Sequence, residues 1–243
     1  LGIRAVNAIE LSNVTRRFGH LTALRGVTLS IPEGQTFTLF GPNGAGKSTL
    51  LRIIATLGKP TSGTVHIRNI DVRESPEQVR AHIGLISHHT LLYDDLTARE
   101  NLTFYAKMYG LKNKSESVDE ALLTVGLADR HKDRVRGFSR GMKQRLAIAR
   151  ATLHQPEILL LDEPFTGLDT AARSLLSDMI FNLRAKGRTI LLVTHDLGQG
   201  LTLSNHFGIL KRGELVHESP TENITETELR TIYERHVGNL TQG

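Results

Sequence analysis

Cysteine is absent from the 243 residues. That absence excludes a disulfide framework, a thiol nucleophile and a thiolate metal site, and it suits a reducing compartment. Long apolar runs are absent too. Stretches such as Ile158–Leu161 and Ile190–Val193 stop at four residues, against about 18 needed to span a bilayer. The first residues lack the apolar stretch of a signal peptide. Service to a membrane is therefore expected to go through a partner. No internal repeat, low-complexity tract or coiled-coil arm is visible. Charge of one sign is not concentrated either: 30 Lys and Arg are interspersed with 25 Asp and Glu, for a net charge of +5. A solvated surface accounts for this balance, and a mildly basic face near an anionic membrane is a second reading. Nucleic acid is not expected as a partner.

What is present is an ordinary globular composition, 39% hydrophobic and 23% charged, enough for one domain with a small inserted subdomain. Residues 8–18 alternate apolar and polar, as a half-buried strand does. Thr28–Ile31, Thr36–Phe40 and Thr64–Ile67 read as further strands set off by turns. From about 74 to 150 the pattern becomes helical, over Leu96–Leu111, Val118–Val125 and Met142–Leu153. Then come the bare apolar run Ile158–Leu161, a helix at Ala171–Ala185 and a strand at Thr189–Thr194. Bare strands separated by helices predict a parallel sheet covered on both faces. Two strands near 206–217 and a helix at about 226–237 complete the chain.

One strand runs straight into Gly41-Pro42-Asn43-Gly44-Ala45-Gly46-Lys47-Ser48-Thr49, and a helix follows. Strand before and helix after make this a phosphate-binding loop. Gly44 and Gly46 let backbone N–H groups converge on an oxyanion, and the helix start adds positive dipole character. Lys47 is expected to reach the outer phosphates, and the Ser48 hydroxyl to ligate Mg2+. Binding alone is not hydrolysis. The run Ile158-Leu-Leu-Leu-Asp162-Glu163 supplies the rest: Asp162 to hold Mg2+, Glu163 to orient or deprotonate water.

These two motifs, with Phe138-Ser139-Arg140-Gly141-Met142 between them, resemble the ABC ATPase family over nearly the whole chain. The resemblance implies an α/β P-loop NTPase fold: a RecA-like, mostly parallel core, an antiparallel β subdomain and an inserted helical subdomain. It implies a single domain, with the core at about 7–84 and 156–217, the helical part at about 85–155 and a tail at about 218–243. It also implies that Ser139 and Gly141 face the γ-phosphate of ATP held by a second subunit. His195 resembles the family's switch histidine, Gly167-Leu168-Asp169 its D-loop, and Phe18 the aromatic that stacks on adenine.

Two departures stand out. Arg140 and Met142 replace the commoner residues of the LSGGQ signature. There is also no Gln between 79 and 143, where the family has one that ligates Mg2+; His88 aligns with it, one step from His89. The resemblance further implies a homodimer or sibling pair, an integral-membrane permease partner, and a place at the cytoplasmic membrane face. The stretch from Ser87 to Leu102 looks most like exporters, and is similar to haem exporters of cytochrome c maturation. A soluble iron–sulfur assembly ATPase is the alternative of compatible size.

Overall fold

The computed structural model describes residues 6–87 and 90–238. In chain order it contains β1 (Asn7–Phe18), β2 (Leu21–Pro32), β3 (Thr36–Phe40), α1 (Lys47–Ile54), β4 (Ser62–Ile67), β5 (Ile70–Asp71), α2 (Pro76–His82) and β6 (Ile83–Ile86). There follow α3 (Ala98–Met108), α4 (Lys114–Thr124), α5 (Arg140–Thr152), β7 (Ile158–Asp162), α6 (Thr170–Ala185) and β8 (Thr189–Val193). The chain then forms α7 (Leu197–Leu203), β9 (His206–Lys211), β10 (Glu214–Pro220) and α8 (Glu226–Val237).

The strands form two sheets. One is antiparallel, in the order β2-β1-β4-β5. The other has the order β10-β9-β3-β8-β7-β6, parallel except where β10 returns against β9. All residues of β3, β7 and β8 are buried, as the unbroken apolar runs of β7 and β8 required, and in β3 the burial extends to Thr36 and Thr38. Their side chains alternate between two cores. Ile158, Leu160, Leu191 and Val193 pack with α1 and the antiparallel sheet. Leu159, Leu161, Ile190 and Leu192 pack with α6 and with Ile148 of α5. A third core joins α3, α4 and α5 into a helical unit through Leu102, Leu122 and Leu146.

The stretch expected to be helical from about 74 contains the strand β6, which crosses the expected subdomain boundary at 84/85. Four residues are too few for a periodicity to show. Gly84 is required there because an added Cβ would overlap the Ala151 carbonyl oxygen and lie 2.8 Å from Leu159 Cδ2. The contact is reinforced by Arg150 Nη2, which donates to the Leu85 carbonyl at 2.6 Å, and by His154 Nε2, 3.1 Å from the Ile83 carbonyl. Strand β2 is much longer than Thr28–Ile31, because its first half, in which Leu24 alone is buried, is held by pairing to β1. In the tail, α8 packs Leu229 and Tyr233 against Phe40, Phe207 and Ile209. Residues 218–220 belong to β10.

Candidate active site

Strands β3, β7 and β8 lie side by side and parallel, so their carboxyl ends bring three separate segments together. The first is the glycine-rich loop. Gly46 caps α1 at φ 106° and offers no side chain to its first turn, so the opening N–H groups stay available to an anion. A Cβ at Gly46 would lie 2.5 Å from the Ala23 carbonyl oxygen, so both conformation and space demand glycine. Lys47 is 7% exposed. Its Nζ donates to the carbonyls of Gly41 (2.6 Å) and Pro42 (3.0 Å). Burial lowers its pKa, and Glu163 and Asp162 oppose that shift.

The second segment is the end of β7. Ser48 Oγ donates to Asp162 Oδ1 at 3.2 Å, which joins the two motifs across the sheet. These two oxygens suit a hard divalent cation. Among the described residues no three acidic or imidazole side chains converge. A magnesium ion here would therefore take its remaining ligands from phosphate oxygens and water, and the donor set fits that use. Glu163 has φ 50°, an unusual conformation for a carboxylate residue, and its N–H donates to the Val193 carbonyl at 2.9 Å.

The third segment follows β8. His195 Nδ1 lies 2.9 Å from Glu163 Oε2, and the imidazole is 66% exposed. Thr194, 1% exposed, places Oγ1 at 3.4 Å from the same oxygen. Sequence reading passed over Thr194 as the end of a strand. Its only sequence signal is its place between a bare apolar run and the histidine.

The remaining expected site residues are not hydrogen-bonded to this cluster. Ser139 is the N-cap of α5 and accepts from the Met142 N–H at 3.2 Å. Asp169 likewise caps α6, accepting from the Ala172 N–H at 2.8 Å. Among the described residues no hydrogen bond links Ser139, Gly141 or Asp169 to residues 41–49. Phe18 is half exposed at the end of β1, with the Arg16 guanidinium 4.3 Å from its ring centroid, so it is not a core aromatic. His88 lies outside the described residues. A cleft of about 330 Å³ separates Glu163, Pro164 and Thr166 from Arg140, Lys143 and Gln144 of α5.

The ABC transporter family model matches residues 24–166, more than half of the chain. The ABC transporter ATP-binding protein NatA of Bacillus subtilis is 36% identical over 228 residues, covering 90% of this chain and 92% of the relative. Nod factor export ATP-binding protein I of Cupriavidus metallidurans is 33% identical, covering 91% and 74% respectively. A spermidine/putrescine import ATP-binding protein of Pseudomonas aeruginosa falls in the same range, at 38% with 89% and 60% covered. Among solved structures, the dimeric post-hydrolysis state of the ATP-binding cassette MJ0796, bound to ADP and Pi, superposes with a TM-score of 0.80. It is 31% identical and covers 89% of this chain and all of that one. The fold is thus the α/β P-loop NTPase expected from the sequence. The chain belongs to the ABC transporter family, as an ATP-binding subunit whose hydrolysis of ATP is coupled to transport.

Proposed function

We propose that this subunit works as an ATP-bridged pair at the cytoplasmic face of a membrane, driving export through a separate permease. The observation that carries the pairing is the division of the site. The phosphate loop, Asp162, Glu163 and His195 form one bonded cluster, while Ser139, Gly141 and Asp169 cap or start helices with no hydrogen bond to the loop at 41–49 among the described residues. A second copy, related by a two-fold axis, would present its Ser139 and Gly141 to the first copy's ATP. The MJ0796 cassette, dimeric with ADP and Pi, supports that arrangement.

Within one site, residues 41–49 hold the triphosphate through backbone N–H groups, and Lys47 turns from its loop carbonyls to the outer phosphates. Phe18 offers a ring face to adenine. Ser48 and Asp162 would hold Mg2+, which neutralises phosphate charge; His88 is assigned here by its sequence position alone. Glu163 accepts a proton from the attacking water as that oxygen bonds to the γ-phosphorus and the bond to the β–γ bridging oxygen breaks. His195, bonded to Glu163, steadies the carboxylate and can reach the γ-phosphate edge.

The permease partner rests on the helical unit. Leu91, Tyr93, Phe104 and Met108 are 38 to 67% exposed, and the Tyr93 and Phe104 rings meet edge-on at 5.1 Å. Large side chains clustered in this way mark a contact surface. No helix of the described residues is long and apolar enough to cross a membrane, which agrees with a separate permease. Export follows the resemblance of residues 87–102 and the relative named for export. Haem is a cargo to assay on that resemblance alone; none of the relatives above is named for it. No observation favours the iron–sulfur assembly alternative.

The test is Glu163→Gln. With ATP and Mg2+ it should bind nucleotide normally, form a stable pair in light-scattering chromatography, and lose hydrolysis by about 100-fold or more. A strictly single chain under those conditions would exclude the bridged pair. Co-expression with a permease in inverted vesicles should give ATP-dependent uptake of cargo into the lumen, which is export; movement the other way would exclude it.

A further inference from the structure

Arg140 is the first residue of α5 and an exposed one. Among the described residues no carboxylate lies within ion-pair distance of it. Its neighbour Lys143, by contrast, is paired with Asp94 at 2.8 Å. The Arg140 guanidinium lies instead on the backbone of Gly167, in the loop that joins Glu163 to α6. A Cβ at Gly167 would sit 2.5 Å from Arg140 Cζ and 2.9 Å from Nε. Gly167 also has φ 70°, so its conformation favours glycine, and a side chain there would have to displace the guanidinium.

This contact has neighbours that make it a junction. A Cβ at Gly141 would lie 3.1 Å from Ala172 Cβ, so the starts of α5 and α6 are already in close contact. Beyond Gly167, Arg173 Nε donates to the Leu168 carbonyl at 3.3 Å, and its Nη1 bonds Asp196 at 3.1 Å, next to His195. The loop from Glu163 to Asp169 is therefore held on one side by the histidine segment. Arg140 holds it on the other, to the helix that carries Ser139.

We propose that Arg140 is a positioning residue: its planar guanidinium clips the start of α5 to Gly167, so that Ser139 and Asp169 meet a second copy as one rigid edge. The proposal rests on the ATP-bridged pair and adds a residue to it. A planar group with donors along its rim can lie flat against a glycine peptide, whereas a lysine ammonium on a flexible stem cannot. The clip acts before the two copies meet, by removing freedom that pairing would otherwise have to freeze.

The experiment uses the full chain carrying Glu163→Gln, with ATP and Mg2+, and reads the pair's dissociation constant by analytical ultracentrifugation. Nucleotide binding to the single subunit is read separately. Arg140→Gly should weaken pairing at least tenfold and leave single-subunit ATP affinity unchanged. Arg140→Lys should not restore pairing. Gly167→Ala should weaken it too, and the double variant should be no weaker than Gly167→Ala alone, because the clip can be lost only once. Unchanged pairing in Arg140→Gly, recovery in Arg140→Lys, or simple addition in the double variant would each overturn the clip. If the Glu163→Gln parent does not pair, the bridged-pair reading falls by itself. The clip is then judged on the single subunit, where amide exchange across 163–172 should quicken at least tenfold in Arg140→Gly. Unaltered exchange there would overturn it.

Discussion

The two ends of the candidate site are built in opposite ways. The phosphate-loop end is internally bonded around the buried Lys47 and Asp162: Lys47 is held by two carbonyls, Ser48 by Asp162, and Glu163 by His195. The α5 end is exposed, and Ser139 and Asp169 spend their side chains on capping their own helices. The difference teaches that one half is preorganised by strand ends packed in a sheet, while the other half is presented outward. A sheet fixes position through many shared neighbours. A helix start fixes it through one cap and whatever lies beside it.

The largest effect that would sharpen this contrast is expected for Lys47→Ala. It should lower ATP affinity of the single subunit at least a hundredfold, read by fluorescence titration; unaltered binding would remove Lys47 from the buried half. Next comes Ser139→Ala. Loss of the cap should cost about 1 kcal/mol of stability and weaken ATP-driven pairing about tenfold, with ATP affinity of the single subunit intact. An equal loss of single-subunit affinity would break the comparison, by placing Ser139 in the same half as Lys47.

The smallest effect concerns the tail, which belongs to neither half. The His217 ring lies tilted against those of Phe207 (5.4 Å) and His236 (5.1 Å), and its Nε2 is buried without a partner. Burial lowers its pKa, and the nearby His236 and Arg235 lower it further. A histidine with a lowered folded pKa binds fewer protons folded than unfolded. Its stabilising effect is thus present above the unfolded value, near 6.5, and is lost as pH falls through it. The melting temperature should drop between pH 7.5 and 5.5, and His217→Phe should flatten that slope. A slope unchanged by the substitution would clear His217 of the effect.

Much of the buried half was legible in the sequence. The strand Thr36–Phe40 runs straight into the glycine-rich loop, and the bare apolar run before Asp162-Glu163 is accommodated only in a covered parallel sheet. The pairing of Ser48 with Asp162 follows from the two motifs. The exposed half was legible only as motif. That Arg140 rests on Gly167 depends on how α5 packs against α6, and no local periodicity encodes it. Strand β6 was hidden for another reason: with Gly84 in its middle it has neither the length nor the propensity of a strand. Its place is set by pairing with β7 and by α5. The tail helix Glu226–Val237 falls where the sequence placed it, at about 226–237, but its burial against Phe207 was not legible.

That grip of α5 on β6 limits how the molecule can deform. The backbones touch at Gly84, and Arg150 and His154 pin the strand on either side of it. A rotation of the helical unit against the sheet must turn about this end of α5 or break the grip, and the contact of Arg140 with Gly167 ties the opposite end of the same helix to the core, so α5 is held at both of its ends.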